Sequence, residues 1–101
     1  MVTGKLSNGF EYEVDERILN DFRLVDAIAL TESDDNAEKL RGITEYCKLI
    51  LGDANMRKLF RKLKKENGGF VPQEAVYNAA AEIMRTIKGD DAEKKSEPSQ
   101  E

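Results

Sequence analysis

Histidine and tryptophan are both absent from this 101-residue chain, cysteine occurs once, as Cys47, and proline twice. Without histidine the sequence lacks the side chain most used for proton transfer near neutrality and the commonest nitrogen ligand of transition metals. No catalytic, cofactor-binding or metal-binding residue is therefore assigned. A single cysteine permits neither an internal disulfide nor a thiolate cluster, which fits a reducing compartment. Flanked by Tyr46 and the run Leu49-Ile50-Leu51, it reads as a buried structural thiol. Long apolar runs are missing as well. The uncharged stretch from Ala75 to Ala81 falls far short of the roughly 20 residues that a membrane span needs. The opening Met1-Val2-Thr3-Gly4-Lys5 has no cationic segment followed by an apolar one, so the expected location is the cytoplasm.

Charge, by contrast, is plentiful. Sixteen Lys and Arg face twenty Asp and Glu, for a net charge of −4, with 36% of residues charged and 40% hydrophobic. That balance suits one soluble folded domain. The charge is also divided along the chain. Residues 1–52 carry six positive and eleven negative side chains, residues 53–88 eight and four, and residues 89–101 two and five.

The spacing of apolar residues predicts a mainly α fold of about four amphipathic helices, with a small N-terminal β-hairpin or strand and a disordered C-terminal tail. Phe10-Glu11-Tyr12-Glu13-Val14 alternates with the period of a half-buried strand. Asn8-Gly9 before it is a tight-turn dipeptide, which lets Val2 to Ser7 pair back. Asp15 is placed to cap a first helix reaching about Leu30, with Ile18, Phe22, Val25 and Ala29 as its stripe and further apolar residues on both flanks. A helix so apolar is expected to be central or covered by a second chain. After the polar break Thr31 to Asn36, a second helix carries Leu40, Ile43, Cys47 and Ile50 and stops at Gly52. Asp53 is placed to cap a third helix, about Ala54 to Glu66, whose apolar side is Met56, Leu59, Phe60 and Leu63. Pro72 opens a fourth, with Val76, Ala80, Ile83 and Ile87 facing the core. The domain therefore spans residues 1–88, its β element 1–14, and residues 89–101 form an acidic tail without apolar residues save Ala92.

Few constellations suggest chemistry. The carboxylate pair Asp34-Asp35 sits in a polar break, and a calcium-loop pattern laid over Asp34, Asn36, Glu38 and Glu45 has Lys39 where that loop needs glycine. Helix capping accounts for these residues. Gly68-Gly69 lacks the lysine and hydroxyl of a phosphate cradle and reads as a helix-ending turn. Arg57, Lys58, Arg61 and Lys62 head a basic cluster on the third helix. In an acidic chain without interleaved exposed aromatics, such a cluster is not expected to bind nucleic acid. It is a candidate for contact with an acidic partner or with the acidic half of another copy, in a head-to-tail homo-oligomer aligned by opposed charge. Tyr77 and Met84, seven residues apart on the fourth helix, and Phe70 in the preceding turn are candidates for a partner-binding groove.

In succession, Gly9-Phe10-Glu11-Tyr12-Glu13-Val14-Asp15, Asp21 with Leu24-Val25-Asp26-Ala27-Ile28, Leu49-Ile50-Leu51-Gly52, and Gly68-Gly69-Phe70-Val71-Pro72 with Val76 and Glu82-Ile83 resemble the tail assembly chaperones of long-tailed bacteriophages, most closely those of phages and prophages of Gram-positive bacteria. The likeness runs over about residues 9 to 88 and lies in the order of the blocks. It implies a non-enzymatic, mostly helical protein of the host cytoplasm that binds the tape measure protein and keeps it soluble. It implies as well that the protein helps recruit the tail tube protein and is absent from the mature virion. In many relatives a programmed frameshift yields a longer form that recruits the tube protein, and Lys94-Lys95 is where such a slip would fall in this sequence. Two other readings stay open: a small nucleic-acid-binding regulator using the basic third helix, and a minor structural component of the tail.

Overall fold

A computed structural model describes residues 1–88; the expected disordered tail, 89–101, lies outside the described residues. The chain runs through β1 (Val2–Lys5), β2 (Glu11–Val14), a 3-10 turn (Glu16–Asn20), α1 (Phe22–Leu30), α2 (Asn36–Glu66) and α3 (Gln73–Ile87). The hairpin is antiparallel, with Val2 opposite Val14 and Lys5 opposite Glu11. Its connection is closed by Leu6 N–H donating to Phe10 O at 2.8 Å and by Asn8 Oδ1 accepting from Phe10 N–H at 3.0 Å. The alternation works as expected: Phe10, Tyr12 and Val14 are all buried, while Glu11 and Glu13 face out. A two-stranded hairpin is marginal alone, and this one is held at both ends. Ser7 N–H donates to the Glu82 carboxylate on α3 at 3.1 Å, and the Glu13 carbonyl accepts from Asn55 Nδ2 on α2 at 2.9 Å.

Three α-helices, not four, are found among the described residues, and the first begins later than expected. Asp15 caps only the 3-10 turn, its carboxylate accepting from Arg17 N–H at 3.0 Å. Asp21 is extended, with φ −83° and ψ 125°, and caps α1 through Arg23 N–H at 2.9 Å. Each aspartate also chelates the arginine two residues on, at 2.6 Å for Arg17 and 2.7 Å for Arg23. Two Asp-x-Arg units in tandem thus stop and restart the helical winding. The expected second and third helices form the single element α2, with Asp35 as its cap, accepting from Ala37 N–H at 2.9 Å. Gly52, at φ 78° and ψ 162°, is the one non-helical residue inside it. No loop residues follow Gly52, so winding resumes at once and the result is a kink instead of a helix end. Pro72 immediately precedes α3 with φ −65°, in line with its expected role.

The core gathers the inner faces of all these elements: Phe10, Tyr12 and Val14 from the hairpin, Leu24 from α1, Cys47, Ile50, Leu59 and Leu63 from α2, and Val76, Ala80 and Ile83 from α3. Cys47 is buried, as its neighbours suggested. The stripe expected to bury α1 is corrected. Leu24 and Ala27 are its buried residues, whereas Phe22 is 77% and Val25 53% exposed. Ile18 and Leu19 fall in the 3-10 turn and so leave the helical register that the stripe assumed. Close approach to α2 decides the rest. A Cβ on Gly42 would lie 2.7 Å from Leu30 Cβ and 2.8 Å from the Ala27 carbonyl oxygen. With backbone against backbone, α1 buries a narrow strip and leaves its wider apolar face outside. Leu40, expected on the buried stripe of α2, is likewise 57% exposed, one turn before Gly42 and Ile43 meet α1.

Candidate functional site

A groove of about 480 Å³ opens where α1, the first half of α2 and α3 meet. Its walls are Ile28 from α1, Ile43, Tyr46 and Cys47 from α2, and Tyr77 and Met84 from α3, with Lys88 at one end. Gly42 brings α1 close enough to form the first wall. Helical spacing builds the others: Ile43 and Cys47 lie four apart on α2, and Tyr77 and Met84 two turns apart on α3, so each pair stacks on one face. Tyr77 donates its hydroxyl to Gln73 Oε1 at 2.9 Å, which fixes the ring along its own helix. The lining is mainly apolar, with Thr31 and Lys88 as its polar members, and adaptable sulfur and amphipathic phenols are suited to receive a foreign helix.

Electrostatics give the groove one edge of definite sign. Burial pushes the Tyr46 phenol up from its ordinary value, Cys47 pushes the same way, and Arg85 on α3 draws it down. Burial also raises the Cys47 thiol, so at neutral pH that group is protonated and unreactive, and serves as packing. Arg85 and Lys88 have no ion-pair partner among the described residues. No acidic side chain lines the groove.

Of the three residues singled out for partner binding, Tyr77 and Met84 share this groove. Phe70 does not line it. It stands 66% exposed in the turn between α2 and α3, where its N–H donates to the Asn67 carbonyl at 3.3 Å. The basic candidates form a separate surface on the second half of α2. Arg57, Lys58 and Arg61 are exposed and unpaired among the described residues, while Lys62 bonds Glu66 at 2.6 Å, one turn on. Lys58 borders a recess of about 590 Å³ between the hairpin and α2. That recess mixes Lys5 and Lys58 with Glu11 and Glu13, so it presents no single charge to a ligand. Sequence reasoning missed Ile28, Ile43 and Tyr46 as groove walls and the buried Asn55. The close-packing role of Gly42 had a readable signal, a glycine inside an otherwise good helix.

By fold and site, then, this is a small, mainly helical protein with a two-stranded N-terminal sheet and an apolar groove between helices. Comparison with protein-family models, curated proteins and solved structures gives no match. Among the described residues no three His, Cys, Asp or Glu side chains are grouped to hold a metal ion, and no helix is long and apolar enough to cross a membrane.

Proposed function

We propose that this chain is a non-enzymatic tail assembly chaperone of a long-tailed phage or prophage, acting in the host cytoplasm on the tape measure protein and absent from the finished virion. The observation that carries the proposal is the groove, with Tyr77 and Met84 on one wall and Ile28, Ile43 and Tyr46 on the others. A tape measure is a long helical chain, and before the tube forms around it its apolar stripe has no partner and aggregates. The groove matches such a stripe in chemistry, taking apolar anchors at helical spacing. Many small copies along one client give many weak contacts, which reinforce one another on a shared filament and let go when the tube protein arrives. Recruitment of the tube protein, through a frameshifted longer form, belongs to the same reading.

Co-expression with the large tail protein is the test. The wild-type chain should hold that protein in the soluble fraction, and Tyr77→Glu with Met84→Glu should abolish the rescue while far-UV circular dichroism is unchanged. An equally soluble client with this chain omitted sinks the proposal, and so does mass-spectrometric detection of the chain in purified virions. The exposed, unpaired Arg57, Lys58 and Arg61 favour a second reading, a nucleic-acid-binding regulator. Retention on duplex DNA at physiological salt is its signature.

A further inference from the structure

We propose that two copies of this chain pair by laying the exposed face of α1 from each across the groove of the other. Surface chemistry selects α1 as the occupant. Phe22 is 77%, Val25 53% and Ile28 40% exposed, and Ala29 is also exposed. Phe22, Val25 and Ala29 follow the i, i+3, i+7 spacing of a helix that enters an apolar groove. Ile28 lines the groove and stands one turn from the exposed Val25, at the i, i+3 spacing that makes helix surface residues neighbours, so the donating face and the receiving groove are continuous on one molecule. Such continuity lets one patch serve both copies about a two-fold axis, and the contact closes at two.

Charge points the same way. Asp26 is exposed beside the Phe22 and Val25 face and, among the described residues, has no ion-pair partner. The receiving groove has Lys88 in its lining and no acidic residue, and the exposed Arg85 directly follows the groove residue Met84 on α3. Docking sets Asp26 of one copy toward Arg85 and Lys88 of the other, twice over. Area decides against the simpler contact of α1 on α1. The nine residues of α1 span roughly 13 Å, too short to supply about 800 Å² per partner, the usual size of a stable interface. Insertion into the groove adds the walls from α2 and α3. Under the chaperone reading, a client helix and the second copy's α1 compete for the same groove.

Sedimentation velocity on the full chain alone, from low to high micromolar concentration, is the experiment. A monomer–dimer equilibrium is expected, with a limiting mass twice 11.4 kDa. Val25→Glu should leave only monomer at every concentration, with an unchanged circular dichroism spectrum because the site is solvent-facing. Asp26→Lys should raise the dimer dissociation constant about tenfold, as should Arg85→Glu with Lys88→Glu. All three substitutions in one chain should restore it. A chain that stays monomeric at high micromolar concentration overturns the inference. So does association that survives Val25→Glu, or charge reversals that do not compensate. No client is present in this measurement, so its failure leaves the chaperone reading standing, and failure of client rescue leaves the dimer untouched.

Discussion

At the scale of single residues, location separates side chains of the same apolar class. Leu59 is fully enclosed and Phe22 is 77% exposed. Leu59→Ala should therefore cost about 2–5 kcal/mol, and Phe22→Ala about 0.5 kcal/mol or less in the monomer, as read by urea unfolding. Gly42 inverts a familiar rule. Alanine in a helix interior normally gains about 1 kcal/mol over glycine, but here its Cβ would sit 2.8 Å from the Ala27 carbonyl oxygen and 2.9 Å from Thr31 N. Backbone cannot yield as a flexible side chain does, so Gly42→Ala should destabilise the fold by about 1–3 kcal/mol. Asp15 and Asp21 set an acid limit. Hydrogen bonds from Arg17 and Arg23, followed by backbone N–H donors, hold their carboxyls at about 2 instead of the ordinary 3.8. A folded-state pKa below the unfolded one means that the stabilisation is complete above 3.8 and is lost as pH falls toward 2. Thermal melts taken between pH 5 and pH 2 should show this decline, and Asp21→Ala should make it shallower.

At the scale of elements, α2 is the spine. Hairpin, α1 and α3 all pack on its 31 residues. The kink at Gly52 aims its two halves differently. Asn55, buried beyond the kink, donates to the Leu51 carbonyl at 2.8 Å and to the Glu13 carbonyl at 2.9 Å, which ties the bend to β2. Nothing lies within 4 Å of a Cβ built on Gly52, so Gly52→Ala should cost about 1–3 kcal/mol through backbone strain alone. Chemical denaturation measures it. On α3, Tyr77→Glu and Met84→Glu alter groove residues that are only partly buried, so each should lower stability by about 1–2 kcal/mol at most while removing client rescue. Collapse of the fold in both variants would assign the two positions to the core.

For the whole molecule, the division of charge becomes only in part a division of surfaces. The second half of α2 carries Arg57, Lys58, Arg61, Lys64 and Lys65, and the end of α3 carries Arg85 and Lys88, all without an ion-pair partner among the described residues, whereas the acids of α1 and its approaches share their region with Arg17, Arg23 and, on the first half of α2, Lys39, Arg41 and Lys48. Reversing Arg57 and Arg61 to glutamate should change stability by no more than about 0.5 kcal/mol, because both are exposed and unpaired. Solubility of the co-expressed client should persist in this variant if the groove is the site of contact; loss of rescue would move the contact to the basic face. Association between copies should weaken as salt rises, since the charges that guide it are solvent-facing.

Periodicity and turn chemistry were enough to read the hairpin, the buried face of α3, that of α2 apart from Leu40, the buried thiol and the stretch of α3 that carries Tyr77 and Met84. These features depend on neighbours three or four residues away, whose relative placement the backbone geometry dictates. The helix count was not legible, because an aspartate that caps a 3-10 turn and one that caps an α-helix look alike in sequence, and a glycine that ends a helix looks like one that bends it. Nor was the outward face of α1. Nothing local distinguishes Leu24 from Val25; the choice fell to the approach of α1 on Gly42, a contact between segments more than ten residues apart. The groove exists only because that approach leaves Ile28 facing Tyr46, Tyr77 and Met84. Local sequence determined which residues were available to bind, and long-range packing decided which of them were left uncovered.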